Sequence, residues 1–82
     1  MERCIKRALS IQKFAWNNGH DNHGTKLDVL ATAHDILSGF KHLNKAQMEL
    51  YDEISKECNL KYAKKLCSRA NKSIRHFIVT LK

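Results

Sequence analysis

The sequence predicts an all-α fold: a small single-domain bundle of three to four helices with a strongly basic C-terminal helix. Three observations carry this reading. Proline is absent and glycine occurs only at Gly19, Gly24 and Gly39, so the backbone has few enforced breaks. Apolar residues recur every three or four positions along most of the chain, which is the period of a helix and not of a strand. The 82 residues are 43% hydrophobic, too apolar for a disordered tail and too few for a second core. Residues 1–82 therefore form one domain. At this length folding buries only about 60–65% of the unfolded chain's surface, which leaves room for a partner to cover part of the rest.

The first helix is expected over residues 2–17, on Ile5, Ala8, Leu9, Ile11, Ala15 and Trp16. The stretch NNGHDNHG then interrupts the pattern. Asparagine and glycine both tolerate left-handed backbone, so Asn18 and Gly19 make a helix stop. Thr25 is a good N-cap for the second helix, with Asp28 three residues on. Leu27, Leu30, Ala33, Leu37 and Phe40 supply its apolar face, with Asp28, Thr32 and Asp35 opposite, and the helix should reach Lys41 or His42.

In HLNKAQMEL, Asn44 caps the third helix, Gln47 completes a capping box, and Leu43 is placed to staple against Met48. This helix uses Leu50, Tyr51, Ile54 and Cys58 and ends near Asn59, unless it runs on into the next. The last helix, about 60–80, separates most cleanly into two sectors at about 100° per residue. Tyr62, Ala63, Leu66, Cys67, Ala70, Ile74, Phe77, Ile78 and Leu81 fall in one, and Lys61, Lys64, Lys65, Arg69, Lys72 and Arg75 in the other.

Cys4, Cys58 and Cys67 include no CxxC pair. An odd count in a chain without an export signal argues for buried reduced thiols and against a disulfide framework. No apolar run approaches the roughly 20 residues of a membrane span, and the basic start MERCIKRALSIQKF has no apolar h-region or cleavage site. A cytosolic location is the resulting expectation.

The formal net charge is +7, and its placement says more than its size. Residues 1–57 hold eight basic and eight acidic side chains; residues 58–82 hold seven basic ones and no acid. The like charges on the last helix repel at i,i+3 and i,i+4 spacing by a few tenths of a kcal/mol per pair. Asp28, Asp35 or the Glu49–Glu57 segment could neutralise that stripe from within, and an acidic partner would do the same from outside. Nucleic acid fits the stripe through phosphate contacts. The stripe has no aromatic for stacking on bases, though, and only Asn71 and Ser73 to complement it near base edges. An acidic protein segment or anionic lipid headgroups fit equally well.

WNNGHDNHGT, residues 16–25, looks most like a reactive loop. His20 and His23 have HxxH spacing beside Asp21, but zinc needs three or four ligands. Cys4 lies at the far end of the first helix, roughly 20 Å away at 1.5 Å per residue. Ser10, Ser38, Ser55, Ser68 and Ser73 sit inside expected helices with no nucleophile elbow, and there is no phosphate-binding glycine loop or HExxH. The loop reads as a polar joint, and the chain as neither a metal protein nor an enzyme. His34 is expected to be half-buried, His76 to border the stripe, and Lys41 and His42 to complement the dipole at the end of the second helix. That corner, next to Phe40, is also a candidate contact surface.

Taken over its full length, from MERCIKRALSIQKFAWNNGHDNHG through FKHLNKAQMELYDEISKECNLKYAKK to IRHFIVTLK, the chain resembles the cytosolic antiholins of T-even bacteriophages, the lysis-inhibition regulators. The resemblance rests on overall sequence and size, with no compact motif by which binding residues carry over. It implies a non-catalytic regulator in the host cytoplasm that binds the cytoplasmic segment of the phage holin and delays hole formation and lysis. The same holin would meet a periplasmic antiholin on its other side. No cofactor or small-molecule substrate is implied. Contact with the inner membrane would be peripheral, and a homo-oligomer remains open. The candidate partner-binding residues come from the charge pattern: Lys61, Lys64, Lys65, Arg69, Lys72 and Arg75, with Lys41 and His42 as a second patch. A small phage nucleic-acid-binding protein using the basic helix is the alternative.

Overall fold

The computed structural model describes residues 2–19, 24–60 and 68–82, with side chains in the last stretch from residue 71 onward. It is all-α, with four helices among the described residues: α1 (Glu2–Asn17), α2 (Lys26–Ser38), α3 (Lys45–Glu57) and α4 (Ser68–Thr80).

The first helix has the expected bounds but a different buried face. Cys4, Ala8, Ile11 and Ala15 are fully buried at i, i+4, i+7 and i+11, one stripe of a helix. Ile5, Leu9 and Trp16, expected in the core, stand 38, 46 and 62% exposed. Small side chains at 4, 8 and 15 let α2 and α4 approach closely, so the seam is narrow and the neighbouring apolar residues lie beyond it. Gly19 ends the helix at φ +82°, where glycine carries no Cβ penalty, and its N–H reaches the Trp16 carbonyl at 3.1 Å.

The Thr25 hydroxyl accepts the Asp28 N–H at 3.2 Å, as an N-cap should. The second helix lies against all three others, which explains why Val29, Leu30, Thr32, Ala33 and Leu37 are all buried. Thr32 is therefore not on an outer face. Its hydroxyl turns back to the Asp28 carbonyl at 2.8 Å and carries its polarity into the core satisfied.

This helix stops at Ser38, three residues short of the expected Lys41. Three local donors close its end: Ser38 Oγ to the His34 carbonyl, Gly39 N–H to Ile36 and Phe40 N–H to Leu37. Once these carbonyls are satisfied, nothing extends the helix, and Phe40 and Leu43 turn inward against the core. Lys41 and His42 consequently lie beyond the helix end and do not sit in its last turn.

The capping box at Asn44 and Gln47 forms with both hydrogen bonds present, at 2.8 and 3.0 Å. The same two side chains also reach α4. Gln47 Nε2 donates to the Ile78 carbonyl at 3.0 Å and Asn44 Nδ2 to the Leu81 carbonyl at 2.8 Å. These carbonyls lie at the C-terminal end of the last helix, where intrahelical donors run out; that of Ile78 also takes the Leu81 N–H at 3.2 Å. Met48 remains 53% exposed.

At the other end of α3, Cys58 is already extended (φ −115°, ψ 135°), one residue before the expected Asn59. Residues 58–60 are not helical, so the third and fourth helices are separate there and the last helix does not begin at 60. Residues 61–67 lie outside the described segments. The core joins Cys4, Ala8 and Ile11 to Val29, Leu30, Ala33 and Leu37, to Leu50, Ile54 and Cys58, and to Ile74 and Ile78.

Candidate partner-binding surface

Of the six residues in the predicted basic stripe, Lys61, Lys64 and Lys65 lie outside the described residues, as does the side chain of Arg69. Lys72 and Arg75 are exposed on α4, one turn apart, while Ile74, Phe77, Ile78 and Leu81 face or flank the core. The division into two sectors holds across this described half.

Arg75 does more than stand in solvent. Its guanidinium carbon lies 5.6 Å from the centroid of the Phe40 ring, within cation–π range. Phe40 is half-buried and is followed directly by exposed Lys41 and His42. The two patches that the sequence offered separately are thus joined at one corner, with Phe40 as the hinge between them. His76, exposed, stacks on Phe14 at 5.6 Å.

Whether internal acids seal this corner depends on where α3 points its carboxylates. Glu49, Asp52, Glu53 and Glu57 line a groove of about 230 Å³ with Arg3, Arg7 and Lys56. Arg7 Nε pairs with Glu53 Oε2 at 3.2 Å. The acids of the third helix therefore face the bases of the first. Among the described residues, no carboxylate pairs with Lys41, Lys72 or Arg75.

The would-be base-edge contacts behave differently. Ser73 is buried, 3% exposed, and Asn71 is half-buried with its Oδ1 shielded from solvent. Ser73 therefore does not stand on the outer basic face, and Asn71 stands there only in part, which weakens the one feature that gave the nucleic-acid reading any specificity.

His34 is half-buried, as expected. Its ring stacks on Tyr51 at 4.5 Å, and its Nε2 lies 2.9 Å from Ser55 Oγ. Both partners sit one turn apart on α3, so the histidine clasps α2 to it. His20, Asp21 and His23, weighed as a metal loop, lie outside the described residues.

Cys4 and Cys58 are buried free thiols, matching expectation, and Cys67 lies outside the described residues. Burial pushes the Cys4 thiol well above the ordinary range, reinforced by Cys58 and Glu57 against it. What the sequence reading missed is the company Cys4 keeps. Its sulfur and one carboxylate oxygen each from Glu53 and Glu57 all lie within 4.8 Å of one another. The only sequence sign was EISKEC, which sets two carboxylates one helical turn apart beside a cysteine.

A family model described as lysis inhibition accessory protein rIII matches residues 2–82. The chain is also similar to the lysis inhibition accessory protein of Enterobacteria phage T4, 52% identical over 82 residues and covering all of both chains. No solved structure matches.

Proposed function

The chain belongs to the lysis inhibition accessory protein rIII family, and from that premise we propose that it regulates phage lysis as a non-catalytic antiholin. It binds the cytoplasmic segment of the holin from the host cytoplasm and delays formation of the lethal hole. The delay follows from mass action. A ligand that prefers the unassembled holin shifts assembly by its difference in affinity for the two states, and by no more than that. A periplasmic antiholin acts on the same holin from its other side.

One observation of the structure supports this reading above the others. Exposed Arg75 lies over Phe40, exposed Lys41 and His42 follow Phe40 in the chain, and exposed Lys72 stands one turn from Arg75, with no described carboxylate paired to these lysines or the arginine. A half-buried aromatic rimmed by cations suits an acidic, partly apolar polypeptide segment. Lys61, Lys64, Lys65 and Arg69 extend the proposed surface along the basic stretch of the sequence.

The test is capture of the holin's cytoplasmic segment by the full chain, before and after Lys72→Glu and Arg75→Glu together. Binding that falls at least tenfold while circular dichroism stays helical supports the surface. Unchanged binding moves the contact elsewhere. A parallel titration against duplex DNA at rising salt checks the alternative, since phosphate-driven binding falls steeply with salt concentration.

A further inference from the structure

Away from the cationic corner, the molecule gathers chemistry at the joint between the start of α1 and the end of α3. Cys4 is fully buried, and its thiol donates weakly to the Glu53 backbone carbonyl at 3.4 Å. Its sulfur lies within 4.8 Å of a carboxylate oxygen on both Glu53 and Glu57, which are themselves that close together. Cys58, the next residue after Glu57, is buried with its thiol against that of Cys4.

Glu53 supplies the second, independent observation. Its side chain is only 5% exposed, and Oε2 takes the Arg7 Nε–H at 3.2 Å. Its other oxygen, Oε1, is wholly buried and meets no donor among the described residues. A carboxylate oxygen withdrawn from water without a partner is costly, and native structures seldom leave one so.

We propose that Cys4, Glu53 and Glu57 form a binding site for a divalent cation of the zinc class, with Cys58 placed to supply a fourth ligand. Sulfur mixed with carboxylate oxygen is a donor set for a borderline-soft ion, and it excludes magnesium and calcium as the natural occupants. Metal–ligand bonds of about 2.0–2.3 Å in a tetrahedron require ligand separations of about 3.4–3.8 Å. The observed atoms need to draw in by about 1.4 Å at most, which rotation of two glutamate side chains accommodates. Arg7, holding Oε2, leaves Oε1 for the ion and fixes the carboxylate's orientation, as outer-shell partners of metal ligands do. The charges balance as well: a thiolate and two carboxylates meet a divalent ion and a guanidinium. The thiol proton leaves to solvent as the ion binds.

The experiment is titration of the chelator-treated full chain with Co2+, then with Zn2+. One Co2+ per chain should bind and give a thiolate-to-metal charge-transfer absorption that Zn2+ abolishes. Zn2+ at about 100 times its Kd should raise Tm by about 10 °C or more. Cys4→Ser should reduce the charge-transfer band by at least half, Cys58 supplying what remains, and Glu57→Gln should weaken Co2+ binding at least tenfold. If Cys4→Ser fails to fold, Glu57→Gln, at a less buried position, carries the test alone. Absence of the band in the unaltered chain overturns the proposal. So does stoichiometric binding that survives both substitutions but disappears in His20→Asn, which would place the ion on the loop instead.

Discussion

The side-chain amide of Gln47 donates to the Ile78 carbonyl at 3.0 Å while its oxygen accepts the Asn44 N–H at 3.0 Å. One buried residue thus completes the start of α3 and closes the end of α4. Gln47→Ala should lose the capping box and one of the two donors to the Ile78 carbonyl, which keeps the Leu81 N–H at 3.2 Å, costing about 1–2 kcal/mol and lowering Tm by about 5 °C or more. Gln47→Glu keeps the capping acceptor but sets a carboxylate against the Ile78 carbonyl, so it should recover little of that loss. Thermal unfolding of the three proteins measures the ordering.

The Arg75–Phe40 contact should contribute little to stability and more to binding. Arg75→Ala removes a cation–π contact worth about 0.5–1 kcal/mol at an exposed site, a small change in Tm. Adding Lys41→Glu should further weaken capture of the holin segment at low salt with no further fall in stability. Association rates measured at two ionic strengths should converge between variants as salt rises, since screening removes the difference.

The two helix-ending glycines should respond oppositely to alanine. Gly19 has φ +82° and open space around its missing Cβ, so Gly19→Ala should cost about 1–2 kcal/mol through backbone alone. Gly39 has ordinary right-handed backbone (φ −84°, ψ −6°), and an added Cβ would meet only the Ile36 and Asp35 carbonyls at 3.5 and 4.0 Å. Gly39→Ala should be neutral, or stabilise by up to about 1 kcal/mol by restricting the unfolded chain. Chemical denaturation separates the two signs.

Burial of Cys4 carries a pH signature. Its folded pKa lies above that of a free thiol, so the folded state keeps a proton that the unfolded state releases once pH passes about 8.5. The contribution is fully present below that pH and is lost as pH rises, by at most about 1.4 kcal/mol per unit. Comparing the metal-free protein with Cys4→Ser between pH 7 and 10 isolates this thiol from the tyrosines and lysines titrating nearby. The unaltered chain should show the steeper fall, and its Cys4 should react with thiol reagents only on unfolding.

Local chemistry made much of this molecule legible. Asn44 and Gln47 begin a helix because their side chains bond the backbone within four residues, and Thr25 does the same. Gly19 stops α1 because only its own backbone must turn. The charge stripe on α4 was visible because a helix converts sequence spacing directly into angle, and Lys72 and Arg75 stand outside as that angle requires.

Other features required the packed chain. Periodicity marked an apolar arc on α1 wide enough for Ile5 and Leu9 as well as Ala8 and Ile11, but the neighbouring helices cover only the second pair. The pairing of Glu53 with Arg7, and the meeting of Cys4 with Glu53 across 49 residues, depend on how helices rotate against one another. Sequence alone determined which side chains share a face of each helix, because that relation is set within a few residues by backbone geometry. Tertiary structure decided which faces meet, because close packing is settled by every helix at once and by the loops that limit their approach.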